Sequence, residues 1–148
     1  MRAVMPSVRA RYNRAVVEPE FDRRLTEFFQ AHPRGVAAVY LFGSAARGTA
    51  RADSDIDVGV LLTETPPPTF DAQPYELEAD LERRLGRPVD VVVLNRAPVD
   101  LRTRVLRDGR LVLDREPSVR IQFEVQTRNE AFDLEPILHR YRAPREAR

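Results

Sequence analysis

The sequence predicts an α+β domain, and three observations carry that reading. Short apolar runs of strand length occupy residues 36–42, 56–62 and 89–94, each bounded by Gly, Pro or charged residues. Between them, apolar residues recur three and four apart, the spacing of an amphipathic helix. The last third carries the same helical spacing at Leu134, Ile137, Leu138 and Tyr141, so the domain should end in a helical tail.

The elements follow in order. Residues 1–19 carry Arg2, Arg9, Arg11 and Arg14 before the first acid, Glu18, and read as a flexible basic segment. Phe21, Leu25, Phe28 and Phe29 place a helix over 20–31, stopped by His32-Pro33-Arg34-Gly35. The first strand follows, then a Gly-Ser pair opening a short helix, a link rich in Arg, Gly and Ala, and the second strand. Thr65-Pro66-Pro67-Pro68-Thr69 forbids regular structure and makes a stiff loop. Leu77, Leu81 and Leu85 mark the next helix, with Asp71 as a cap, Pro74 in the first turn and Gly86 just past the end. A third strand carries Asp90. Pro98 opens a shorter helix that stops near Asp108-Gly109, and 110–114 reads as another strand. Val119, Ile121, Phe123 and Val125 alternate as in a strand, but we read helix there as well, separated from the final helix near 129–133. The organisation is therefore a basic segment 1–19, a main domain 20–115 and a helical extension 116–148.

The chemistry concentrates where the first two strands meet their loops. Gly43 lets the backbone approach a phosphate without an intervening Cβ, and the Ser44 hydroxyl with nearby N–H groups can bind phosphate oxygens. Asp55 and Asp57 stand two apart and so project from one face of a strand. Such carboxylates repel unless a cation lies between them, and hard oxygen ligands favour magnesium. Taken singly, Gly-Ser reads as a turn and Asp-x-Asp as a solvated strand end. Their joint order, strand, Gly-Ser, link, Asp-x-Asp, strand, points to phosphate chemistry. Asp90, at the entry to a valine run, is the candidate for a third carboxylate on a neighbouring strand. In the link, Arg47 and then Arg51 are candidates to clamp a triphosphate. His32 and His139 lack metal-ligand spacing and read as structural.

Composition bounds the remaining choices. The 148 residues, 43% of them apolar, suit one core. All 24 basic residues are Arg, balanced by 23 acids to a formal charge of +1, so there is no general polyanion-binding signal. The absence of Cys excludes disulfides and cysteine-bound zinc. Apolar runs are too short for a membrane span and the start lacks a signal-peptide pattern, so a cytoplasmic protein is expected.

The stretch Leu41-Phe42-Gly43-Ser44-Ala45-Ala46-Arg47-Gly48, with Ser54-Asp55-Ile56-Asp57 after it, resembles the active-site signature of DNA polymerase β-type nucleotidyltransferases. Within that superfamily the short chain resembles the minimal nucleotidyltransferases, the MNT group, from about Phe21 through Leu94. The tail from Arg128 to Leu138 is similar to the end of MntA-like antitoxins, which pair with HEPN-type HepT toxins, themselves ribonucleases. The resemblance implies a mixed sheet with helices packed on one side, two Mg2+ ions held by the catalytic set Asp55, Asp57 and Asp90, and ATP bound through Gly43, Ser44 and Arg47. It implies transfer of AMP to a tyrosine of a cognate HEPN-type toxin, in a hetero-oligomeric complex, with no direct nucleic-acid binding. Two other readings stay open: an aminoglycoside-like small-molecule adenylyltransferase, for which the chain leaves little room, and a non-catalytic module that silences a toxin by covering it. A HEPN toxin is disfavoured, because His139-Arg140-Tyr141 ends like that family's motif but position 134 is Leu where Arg is expected.

Overall fold

The computed structural model describes residues 19–31, 35–46, 55–67 and 74–142. Its elements are α1 (Pro19–Ala31), β1 (Val36–Phe42), α2 (Gly43–Ala46), β2 (Ile56–Leu62), α3 (Tyr75–Leu85) and β3 (Val89–Val93), then a 3-10 turn (Leu94–Arg96), α4 (Val99–Asp108), β4 (Arg110–Asp114) and α5 (Pro117–Arg142). The expected basic segment before Pro19, the Asp71 cap, and Arg47 and Arg51 lie outside the described residues.

The four strands form one mixed sheet in the order β3-β2-β1-β4. β1 runs antiparallel to β2 and β4, while β2 and β3 are parallel. Every residue of β1 is buried, as a central strand covered on both faces requires. Val39 and Leu41 join Leu25, Phe29 and Leu81 in one core, where α1 and α3 pack. Tyr40 and Phe42 point the other way, into a second core with Val105 of α4 and Phe123 of α5. The α+β class and mixed sheet agree with the sequence reading, but the helix layer is not confined to one side. α1 and α3 form the expected layer, and α4 with α5 closes the opposite face. The reason is visible in β1, which has no charged residue and leaves none of its side chains exposed on either face.

Glycines end two elements. Gly86 adopts φ 68° after α3, and its N–H returns to the Glu82 carbonyl, a left-handed cap that only Gly adopts without strain. Gly109 serves a different need: a Cβ there would lie 2.3 Å from the Val105 carbonyl oxygen.

α5 is a single helix of 26 residues, with no break at 129–133. The helix read over residues 119–125 is observed, and its strand-like alternation arises because this helix buries polar groups. Phe123 faces the core beside Arg120, Glu124 and Thr127, whereas Ile121 and Val125 are exposed on the far side. Arg120 pairs with Asp114 at 3.0 Å and donates to Glu124 at 3.0 Å, and the Tyr40 hydroxyl donates to the same Glu124 carboxylate. Arg102 of α4 then bonds Thr127 and Glu130. Buried charge is tolerable only when paired in this way. Pro136 removes one helical hydrogen bond where the helix has already left the core. Among the described residues, no helix is long and apolar enough to cross a membrane.

Candidate active site

β2 is oriented by what it buries. Ile56, Val58 and Val60 enter the core under α1 and α3, which turns Asp57 to the opposite face. The Ile56 N–H donates to the Pro88 carbonyl at 2.9 Å, fixing the start of β2 beside the start of β3. In this register Asp57 stands opposite Phe42 on one side and Asp90 on the other. Adjacent strands lie about 4.8 Å apart, so Asp57 and Asp90 are neighbours on one face.

Gly43 completes the corner. It adopts φ +69°, and a Cβ at this position would fall 2.2 Å from Asp57 Oδ2. The Asp57 carboxylate therefore occupies the space where any other residue at 43 would place its side chain. Two demands, a left-handed backbone and a vacant Cβ position, make this a glycine site. Ala46 is buried in the first core and anchors the short helix that places half-buried Ser44 next to this corner.

Asp55 lies just before β2 and is exposed, as is Asp90, whereas Asp57 is half-buried. Burial holds the Asp57 carboxyl above the ordinary carboxylate value, and the charges of Asp90 and then Asp55 push it the same way. That shared field gathers the three sequence-predicted acids. Yet no group of three or more His, Cys, Asp or Glu side chains among the described residues is drawn together tightly enough to hold a metal. Asp57 and Asp90 stand in register on neighbouring strands and Asp55 lies just ahead of β2, an open arrangement rather than a closed cage. An open set of hard oxygen donors suits magnesium, which takes one or two carboxylates and fills its shell with water and phosphate oxygens.

One part of the site escaped sequence reasoning. β3 is an edge strand, and Asp90 is flanked by Val89 and Val91, whose N–H groups donate to Glu82 Oε1 at 3.1 Å and Glu78 Oε1 at 2.9 Å. Two carboxylates of α3 thus hold the backbone on either side of Asp90. The available signal was their four-residue spacing, which puts both on the helix flank beside Leu81. On the other side of the corner, α4 packs against α2.

Comparisons with known proteins bear on this geometry. The family model described as polymerase beta, nucleotidyltransferase matches residues 23–118. The protein adenylyltransferase MntA of Shewanella oneidensis is 36% identical over 72 residues, 49% of this chain and 50% of that protein. The chain thus spans about half the length of the curated relative it matches. A crystal structure of a toxin-antitoxin with AMP-PNP superposes with a TM-score of 0.69 at 25% identity, covering 81% of this chain and 94% of the other. A mutant MntA-HpeT toxin-antitoxin gives 0.67 at 26% identity, covering 81% and 93%.

Proposed function

This chain belongs to the polymerase beta nucleotidyltransferase family, and from that membership we propose that it is an antitoxin transferring AMP from ATP to a tyrosine of a cognate HEPN-type ribonuclease toxin. The observation that carries the reading is the fit of the Asp57 carboxylate into the space left by Gly43, with Asp90 in register beside it. The likeness to MntA and to a toxin-antitoxin with AMP-PNP supports the acceptor and the donor. A cytoplasmic setting, where ATP is at hand, fits this chemistry.

In the proposed reaction the tyrosine oxygen attacks the α-phosphorus in line. A new P–O bond forms, the bond to the bridging oxygen breaks, and pyrophosphate leaves. Gly43, Ser44 and Arg47 would receive the phosphates, and the exposed Asp90 would orient the hydroxyl, whose proton passes to solvent water as the P–O bond forms. Asp55, Asp57 and Asp90 would hold two magnesium ions. Magnesium, when bound, supplies charge neutralisation for the triphosphate and acidifies the attacking hydroxyl. Positioning and charge neutralisation are the main contributions a protein makes to such a transfer.

Intact-mass analysis tests this. The purified cognate toxin, incubated with this protein, ATP and magnesium, should gain AMP on tyrosine and stay inactive after separation. An Asp55→Asn, Asp57→Asn double variant should leave the toxin unmodified even where it still binds. If that variant protects cells as well as wild type at matched low expression and no AMP is found, neutralisation is by covering alone.

A further inference from the structure

The core ends before α5 does. Phe123 and Thr127 are buried, but no residue from Arg128 to Arg142 is. The face that carries them continues at helical spacing as Leu134, Leu138 and Tyr141, and Leu138 and Tyr141 are exposed to 45% and 85%. An apolar stripe continued past its own core is built to be covered by something else. Between this outer half of α5 and α4 runs a groove of about 1270 Å³, floored in part by Leu106, Leu134 and Leu138.

Its rim is cationic. Arg104, Arg107, Arg128 and Arg142 face Asp100 and Glu135 around it. Asp108 offsets Arg107, and Glu124 lies 4.0 Å from Arg128. Arg104 and Arg142 have no ion pair among the described residues, nor have Asp100 and Glu135, and the last turn of α5 adds His139 and Arg140 with no acid, so the excess of positive charge lies at that helix end. A second copy of this helix end would bring arginines against arginines. A partner helix whose apolar stripe is flanked by carboxylates would match both the floor and the rim.

We propose that this groove is the docking surface for the cognate toxin, receiving one apolar, acid-flanked helix of it; the proposal rests on the antitoxin reading above. α4 links groove and site, since it lines the groove and packs against α2. Packed helices lie about 8–10 Å apart, so a partner seated there is held one helix from the nucleotide corner. Docking of this kind would present the acceptor tyrosine without a substrate-binding domain.

Two measurements on the full chain test it. Hydrogen exchange of wild type with and without purified toxin should show slower exchange over 131–142 in the complex. A Leu138→Glu, Arg142→Glu double variant should bind the toxin about 100-fold more weakly, and AMP transfer should fall at low toxin and recover as toxin is raised. The same variant should bind ATP as wild type does, and Ile121→Glu, on the opposite face of α5, should bind the toxin normally. Wild-type affinity in the double variant, or unchanged exchange over 131–142, overturns the docking surface. Protection already present before toxin is added, in a protein that sediments as a dimer, overturns it in favour of a second copy. If wild type neither binds nor modifies the toxin, the antitoxin reading falls as well, whereas loss of the groove alone leaves wild-type transfer intact.

Discussion

Gly43 carries two constraints whose consequences can be separated. Gly43→Ala keeps φ +69° only at a cost of about 1 kcal/mol for a left-handed non-glycine residue. The atom its Cβ meets first is a carboxylate oxygen at the end of a side chain, which can rotate away. The variant should therefore stay folded, with a small fall in Tm, while nucleotidyl transfer in single-turnover assays drops about 100-fold because Asp57 is displaced. Gly109→Ala should do the opposite, lowering Tm sharply, since its Cβ would meet a backbone carbonyl that cannot swing aside. Asp57 itself gives a pH signature. Its carboxyl holds a proton more tightly in the folded chain than in the unfolded one, so its ionisation favours unfolding. The stability it contributes is complete below the ordinary carboxylate pKa and is lost as pH rises through the raised folded value. Asp57→Asn should raise Tm at neutral pH in the absence of magnesium and nucleotide, and thermal melts should show that gain shrinking toward pH 3. A gain that grows on acidification would contradict the buried, repelled carboxylate.

At the scale of elements, legibility followed burial. The bounds of β1, β2 and β4 were readable because each is an apolar run bounded by glycine or by charged residues. Gly43, Asp55 and Asp57 were readable in an ordered motif and Asp90 as a candidate acid on a neighbouring strand, but the contact between Gly43 and Asp57 was not, because it depends on the register of two strands joined by a link. The helix of α5 was read correctly but not its continuity, because its inward face carries Arg120, Glu124 and Thr127, which break the apolar period that identifies a helix. That polar seam is testable. Arg120→Ala leaves the Glu124 carboxylate without its main cationic partner and should destabilise by about 3–5 kcal/mol in denaturant titrations. Tyr40→Phe, which removes one of the hydrogen bonds to Glu124, should cost about 1 kcal/mol. The clamp on β3 predicts a rate effect instead. A Glu78→Gln, Glu82→Gln double variant keeps an acceptor at each place and should retain most activity, whereas Glu78→Ala, Glu82→Ala should lower kcat more than nucleotide affinity, read by comparing turnover with ATP calorimetry.

For the molecule as a whole, the opposite layers of helices divide the labour. α1 and α3 build the core that sets the strand register and so the position of Asp57 and Asp90, while α4 and α5 leave a surface that outruns the core. The pair Glu78 and Glu82 belongs to the first layer, but its reach is wider than the site. An open sheet with an uncovered edge strand is a template on which other chains can polymerise. By occupying the Val89 and Val91 N–H groups, these side chains deny an incoming strand its first two donors. Light scattering on concentrated Glu78→Ala, Glu82→Ala protein should then rise with time where wild type stays clear, because the residues that steady Asp90 also keep neighbouring sheets from zipping together into fibres.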